Sequence, residues 1–121
     1  MTAILKKSKD SEDISAVVIT GSGSFFSSGA DIKQVVKNFK GDRVTLQLPV
    51  GQFMMAVIDF PKILAAAVNG PCIGIATTLL FHCDLCFCSK NATFWAPFTR
   101  LALGEFDFLT NGHNLSSLLP L

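Results

Sequence analysis

The stretch from residue 63 to 85, ILAAAVNGPCIGIATTLLFHCDL, leaves this chain few ways to fold. Residues 63–68 form a continuous apolar run of strand length, Asn69-Gly70-Pro71 is a turn, and an apolar segment from about residue 74 to 81 reads as a buried helix. A strand that passes its chain straight into a helix start leaves backbone N–H groups without partners, beside the positive end of the helix dipole. Such a bend can hold an oxygen that carries negative charge. Gly74, Ile75 and Ala76 open the helix with at most one bulky side chain, so a ligand can approach the main chain closely.

A similar sequence occurs earlier. Ala16-Val17-Val18-Ile19-Thr20 is an apolar, β-branched run bounded by Gly21, and it predicts a strand buried on both faces, as in a parallel sheet flanked by helices. The next segment, GSGSFFSSGAD, is too rich in Gly and Ser for regular structure. It opens a helix predicted over residues 32–39, with Asp31 in the first turn or cap. A dinucleotide fingerprint would need glycine at position 26, where Phe26 stands, so a nucleotide cradle is disfavoured. If both helix starts face one point, two backbone N–H groups converge there. That arrangement is an oxyanion hole, and each preorganised donor contributes a few kcal/mol to transition-state stabilisation.

The remaining pattern completes an alternating order. Residues 2–13 read as a polar helical tail. Phe53, Met54, Val57, Ile58 and Phe60 recur at helical spacing over residues 50–60, and Pro61 ends that helix. This stripe is read as core in preference to a ligand role for Met54 or Met55. Leu85 to Cys88 and Ala92 to Trp95 read as short strands, whereas beyond Phe98 clear periodicity is lost. Strands alternating with helices predict an α/β arrangement with at least partly parallel strands.

Composition narrows the partners. A chain of 121 residues allows one domain or part of one, and 50% hydrophobic against 16% charged residues favours a buried core or a subunit interface over disorder. A net charge of +1 gives no basis for binding nucleic acid or an anionic membrane. Lys62, Asn69, Pro71, His82 and Asp84 interrupt the best apolar run, so no segment reaches the roughly 18 to 20 residues that span a bilayer. The opening MTAILKKSKDSEDIS lacks an apolar signal core and is too acidic for a mitochondrial presequence, which makes an intracellular location the expectation. Cys83 and Cys86 form a CxxC pair beside His82, but no second ligand pair follows. Cys72, Cys83, Cys86 and Cys88 are therefore expected to be reduced thiols, with no metal.

Three blocks carry a resemblance: AVVITGSGSFFSSGADIKQV, DFPKILAAAVNGPCIGIATTLLFHCDLCFCS and ATFWAPFTRLAL. In this order and at this spacing they resemble the enoyl-CoA hydratase/isomerase (crotonase) superfamily. FFSSGAD and NGPCIG look most like the signatures of peroxisomal-type delta-3, delta-2-enoyl-CoA isomerases. The resemblance runs over about residues 16–103 and implies that 1–121 is a partial crotonase-like domain, with 104–121 divergent. It implies an α/β spiral of strand-strand-helix units, with a strand hairpin expected before residue 1 and a helical region after residue 121. The implied assembly is a homotrimer or hexamer. The implied location is the peroxisome, with the mitochondrion second.

By that resemblance the protein shifts the double bond of an unsaturated fatty acyl-CoA during beta-oxidation and needs no cofactor, coenzyme A being part of the substrate. The two oxyanion amides fall on Ala30 and Ile75. Substrate contacts fall on Ser28, Gly29, Ala30, Asp31, Ile32, Lys33, Gly74 and Ile75. Hydratases of the superfamily carry a glutamate three residues after the second amide, where this chain has Thr78, so hydration is disfavoured. Isomerases need only a later glutamate that moves a proton from C2 to C4, and apolar walls can raise its pKa toward the working range. Family members read roughly F-x-x-L-G-x-x-P-E-G there, whereas this chain reads Phe98-Thr-Arg-Leu-Ala-Leu-Gly-Glu-Phe. An ungapped count puts that glutamate on Phe106. One deletion moves it to Glu105, and an alignment through SSLLPL leaves Asn111 or His113 near the position. Glu105 is the candidate base. A non-catalytic acyl-CoA binder and an enoyl-CoA hydratase stand as the alternatives.

Overall fold

The computed structural model describes residues 1–31, 33 and 48–97. Helix α1 (Thr2–Asp10) leads into strand β1 (Ala16–Thr20), and helix α2 (Pro49–Ile58) into β2 (Ile63–Val68). The chain then makes a short strand β3 (Cys72–Ile73), helix α3 (Ile75–Leu79) with a 3-10 turn (Leu80–His82), β4 (Leu85–Cys88) and β5 (Phe94–Trp95). Pro49 sits in the first turn of α2, where its missing N–H would have had no partner. Pro61 keeps the helix from continuing, and the Asp59 N–H closes the last turn on the Met55 carbonyl at 2.9 Å.

β1, β2 and β4 form a parallel sheet in that spatial order, with Ala16 opposite Ile63 and Ala65 opposite Leu85. β3 and β5 form a second parallel pair, Cys72 opposite Phe94. All described strand pairs are parallel, as the alternation of elements predicts. Two polar side chains brace the sheet's ends. Lys62 Nζ donates to the Ser8 carbonyl at 2.7 Å and to that of Ser11, satisfying acceptors at the end of α1. Asp84 takes the Leu64 N–H on Oδ2 at 2.8 Å and returns its own N–H to the Leu64 carbonyl at 2.8 Å, which extends the ladder one residue before β4 begins.

One face of the sheet turns Ile19, Leu64, Ala66 and Val68 into a core with Leu5 of α1, Val57 of α2, and Ala76 and Leu79 of α3. Both faces of β1 were expected to be buried, and this needs correcting: Val18 is 64% exposed and only Ile19 is fully buried. The register explains it. Val18, Ile63, Leu85 and Phe87 share the face opposite the helices, and each is at least half exposed. An unbroken apolar run encodes two apolar faces, but the described helices cover one.

Two further expectations shift. The helix expected over residues 74–81 is α-helical only from Ile75 to Leu79 before tightening to a 3-10 turn. The passage before it contains β3, which a two-residue apolar pair cannot announce in sequence. The helix expected over 32–39 lies outside the described residues, apart from Lys33.

Candidate functional site

Asn69 ties the two glycine-punctuated loops together. Its Oδ1 accepts from the Gly21 N–H at 3.0 Å, its Nδ2 donates to the carbonyls of Gly23 at 2.9 Å and Phe25 at 3.3 Å, and its own carbonyl accepts from Ser89 Oγ at 3.1 Å. A carboxamide fits because it has donors and an acceptor on one planar group. Below this knot the first loop lies along the second. The Phe26 and Ser27 N–H groups donate to the Pro71 carbonyl at 3.0 and 3.3 Å, and the Ile73 N–H donates to the Ser27 carbonyl at 2.9 Å. Phe26, which excluded a nucleotide fingerprint in the sequence, is 7% exposed and anchors the loop in the core.

Gly29 sits at the closest approach. With φ at 88° it occupies a region that L side chains avoid, and a Cβ there would lie 2.7 Å from the Ile73 carbonyl oxygen and 3.6 Å from the Ile75 nitrogen. The main chain of the first loop therefore rests against the bend that precedes α3. Gly74 makes that bend with φ 63° and ψ −129°, and its N–H is pinned to the Trp95 carbonyl at 2.7 Å. Ile75 follows as the first residue of α3, so its N–H has no acceptor within the helix. Among the described residues neither the Ala30 nor the Ile75 N–H has a hydrogen-bond acceptor.

Gly29, Ala30, Asp31 and Ile75 line one cavity of about 330 Å³, whose other walls include Ile19, Phe53 and Leu79. This volume lies within the usual range of small-ligand sites, and the walls are mainly apolar with a few polar groups at one end. Asp31 Oδ1 accepts from the Lys33 N–H at 3.0 Å, the local bond expected of a residue entering a helix. Ser28 and Lys33 are exposed and do not line the cavity, while Gly74 contributes the bend. Ile32 and Glu105 lie outside the described residues, as do Phe106, Asn111 and His113.

Thr78, where a hydratase-type glutamate would stand, is 4% exposed, and its Oγ1 donates back to the Ile75 carbonyl at 2.9 Å. It holds the first turn of α3 and has no carboxylate to move a proton. The sequence reading missed Phe53 and Val50 as cavity residues. The helical stripe was its only signal, and Met54 of that stripe is core at 5% exposed while Phe53 turns to the cavity. The thiols lie apart from this cavity. Burial pushes the Cys83 thiol up to about 11, and Cys83 Sγ donates to the Leu79 carbonyl at 3.6 Å. Among the described residues no three His, Cys, Asp or Glu side chains gather as a metal shell, and no helix is long and apolar enough to cross a membrane.

Comparison with known proteins places this geometry among relatives. A family model described as enoyl-CoA hydratase/isomerase matches residues 1–110. Enoyl-CoA delta isomerase 3, peroxisomal, of Mus musculus is 39% identical over 105 residues, which is 84% of this chain and 32% of that protein. Enoyl-CoA delta isomerase 2 of Homo sapiens is 41% identical over 109 residues, 84% of this chain and 26% of that protein. The chain thus spans about a quarter to a third of the length of these relatives. Among solved structures, an enoyl-CoA hydratase from Mycobacterium marinum superposes with a TM-score of 0.71 at 33% identity, covering 83% of this chain and 48% of its own.

Proposed function

This chain belongs to the enoyl-CoA hydratase/isomerase family, and from that membership we propose that it carries the oxyanion-binding part of a delta-3, delta-2-enoyl-CoA isomerase. Its fold is α/β and crotonase-like. The observation that carries the proposal is Gly29 lying against the Ile73 carbonyl and the Ile75 nitrogen, which brings the Ala30 loop and the Ile75 bend to the same cavity. In this reading the thioester carbonyl oxygen of an unsaturated fatty acyl-CoA accepts from the Ala30 and Ile75 N–H groups. Removing a proton from C2 moves charge onto that oxygen, and the two fixed dipoles favour the enolate over the ground-state ester. Return of the proton at C4 completes the shift of the double bond, and no cofactor takes part.

Glu105 is the base of this reading. The apolar walls of Ile19, Phe53 and Leu79 suit the acyl segment next to the thioester. Buried Thr78 favours isomerisation over hydration, because the second carboxylate that water addition uses is missing from that position. Peroxisomal residence draws on the name of the mouse relative, and assembly as a homotrimer or hexamer belongs to the same reading.

Titration calorimetry with an acyl-CoA thioester tests the amides. Ala30→Pro removes one donor and is expected to weaken binding severalfold, since a neutral hydrogen bond contributes about 0.5–1.5 kcal/mol, and to lower turnover by about 10²–10³-fold, since the donor acts mainly on the enolate; unchanged affinity and turnover overturn the site. Turnover of a 3-enoyl-CoA to the trans-2-enoyl-CoA separates the classes. Loss in Glu105→Gln supports the assigned base, and full activity in that variant removes it. Binding without turnover indicates an acyl-CoA binder, and water addition to a 2-enoyl-CoA a hydratase.

A further inference from the structure

Cys86 and Cys88 occupy alternate positions of β4, on the face opposite Leu85 and Phe87. Their sulfurs are 3.8 Å apart and both are free thiols. Cys88 is exposed, while Cys86 is half-buried against the core. Cys86 stands opposite Ala66 and Cys88 opposite Val68 of β2, and β4 pairs with no second strand among the described residues, so its outer edge can pucker without breaking another ladder. The other two cysteines lack this arrangement. Cys72 is fully buried with its sulfur on Thr77 Oγ1 at 3.7 Å, and Cys83 is committed to the Leu79 carbonyl.

We propose that Cys86 and Cys88 are a modification site at which a hydroperoxide reversibly closes an intrastrand disulfide. The Cys88 sulfur attacks the terminal peroxide oxygen. The O–O bond breaks, the alcohol or water leaves with the thiol proton, and Cys88 becomes a sulfenic acid. The Cys86 sulfur then attacks the Cys88 sulfur, the S–O bond breaks, and hydroxide departs with the Cys86 proton as water. The two sulfurs together lose two electrons and the peroxide gains them.

Exposure sets the order, because only Cys88 meets solvent freely. Burial, reinforced by Cys88 beside it, pushes the Cys86 thiol up to about 12, so Cys86 is a poor nucleophile toward the peroxide and is left as the resolving thiol. Closing the bond brings the sulfurs from 3.8 Å to about 2.05 Å. On an extended strand the two Cα atoms stand about 6.6 Å apart, near the upper limit for a disulfide. The product is consequently strained and easily reduced, as labile disulfides are. The inference does not rest on the acyl-CoA reading.

The test exposes the reduced 121-residue chain to one equivalent of hydrogen peroxide, then alkylates and maps it by mass spectrometry. Two thiols should disappear, the peptide carrying Cys86 and Cys88 should lose two hydrogens, and dithiothreitol should restore both. Cys86→Ser should stop at a sulfenic acid on Cys88 that dimedone traps, and Cys88→Ser should slow thiol loss at least tenfold. Survival of all four thiols, pairing through Cys72 or Cys83, or a bond between chains would overturn the proposal. The unsubstituted chain decides this even if a variant fails to fold.

Discussion

Gly29 and Gly74 both hold positive φ, yet they do different jobs, and alanine at each position separates them. At Gly74 a Cβ meets nothing within 4 Å, so the cost of Gly74→Ala is conformational only, about 1–3 kcal/mol. At Gly29 the same methyl pays that conformational cost and also meets the Ile73 carbonyl oxygen at 2.7 Å, where backbone must give way. Overpacking of this kind adds about 1–3 kcal/mol. Urea denaturation of the two variants is expected to show Gly29→Ala as the less stable by about that increment. Equal midpoints would mean that the loops are not pressed together at this point. The letters FSSGAD and NGPCIG already mark both bends, because glycine between a strand and a helix signals unusual backbone. What they do not encode is that Asn69, a turn residue by its neighbours, binds the opposite loop with its side chain.

Among the elements, β2 and β4 are legible to the residue, since continuous apolar runs of strand length bounded by turns admit little else. β3 is not, because its two residues become a strand only by pairing with β5, a contact made some twenty residues later. The same limit applies to Phe53: helical periodicity says which residues share a face, but not that one end of that face opens on a cavity. Two thiols, Cys83 just before β4 and Cys86 within it, give the elements a pH dependence. Cys83 is raised from 9.0 to about 11 and Cys86 from 9.0 to about 12, both chiefly by burial. The unfolded chain therefore loses these protons first as pH rises. Their contribution is intact below about pH 9 and is lost as pH climbs through 11 to 12. Denaturation midpoints should fall steadily above pH 9, and Cys83→Ala should flatten the fall at some cost in stability at neutral pH. A wild-type curve that stays level to pH 10.5 would contradict the burial of these groups.

At the scale of the whole molecule, the described sheet has one side packed by helices and the other largely open, with buried Ala65 at its centre. Leu64, Ala66 and Val68 point into the core at 2%, 0% and 1% exposure, while Val18, Ile63, Leu85 and Phe87 stand at 64%, 51%, 50% and 59%. The register places these four in neighbouring rows of one face, so they form a patch and not scattered surface residues. A contiguous apolar surface on a folded chain orders water unfavourably and takes up apolar dyes. We expect the chain to bind an anilinonaphthalene dye in its native state, and Val18→Thr with Phe87→Thr to cut the fluorescence severalfold. Because threonine suits a strand and both side chains are more than half exposed already, the double variant should keep its denaturation midpoint nearly unchanged. Leu64→Ala, on the packed side of the same sheet, should instead lose about 2–5 kcal/mol through the cavity it opens. If the exposed pair proved as costly as Leu64, the two faces of the sheet would be equally buried in solution, and the asymmetry that the register describes would be wrong.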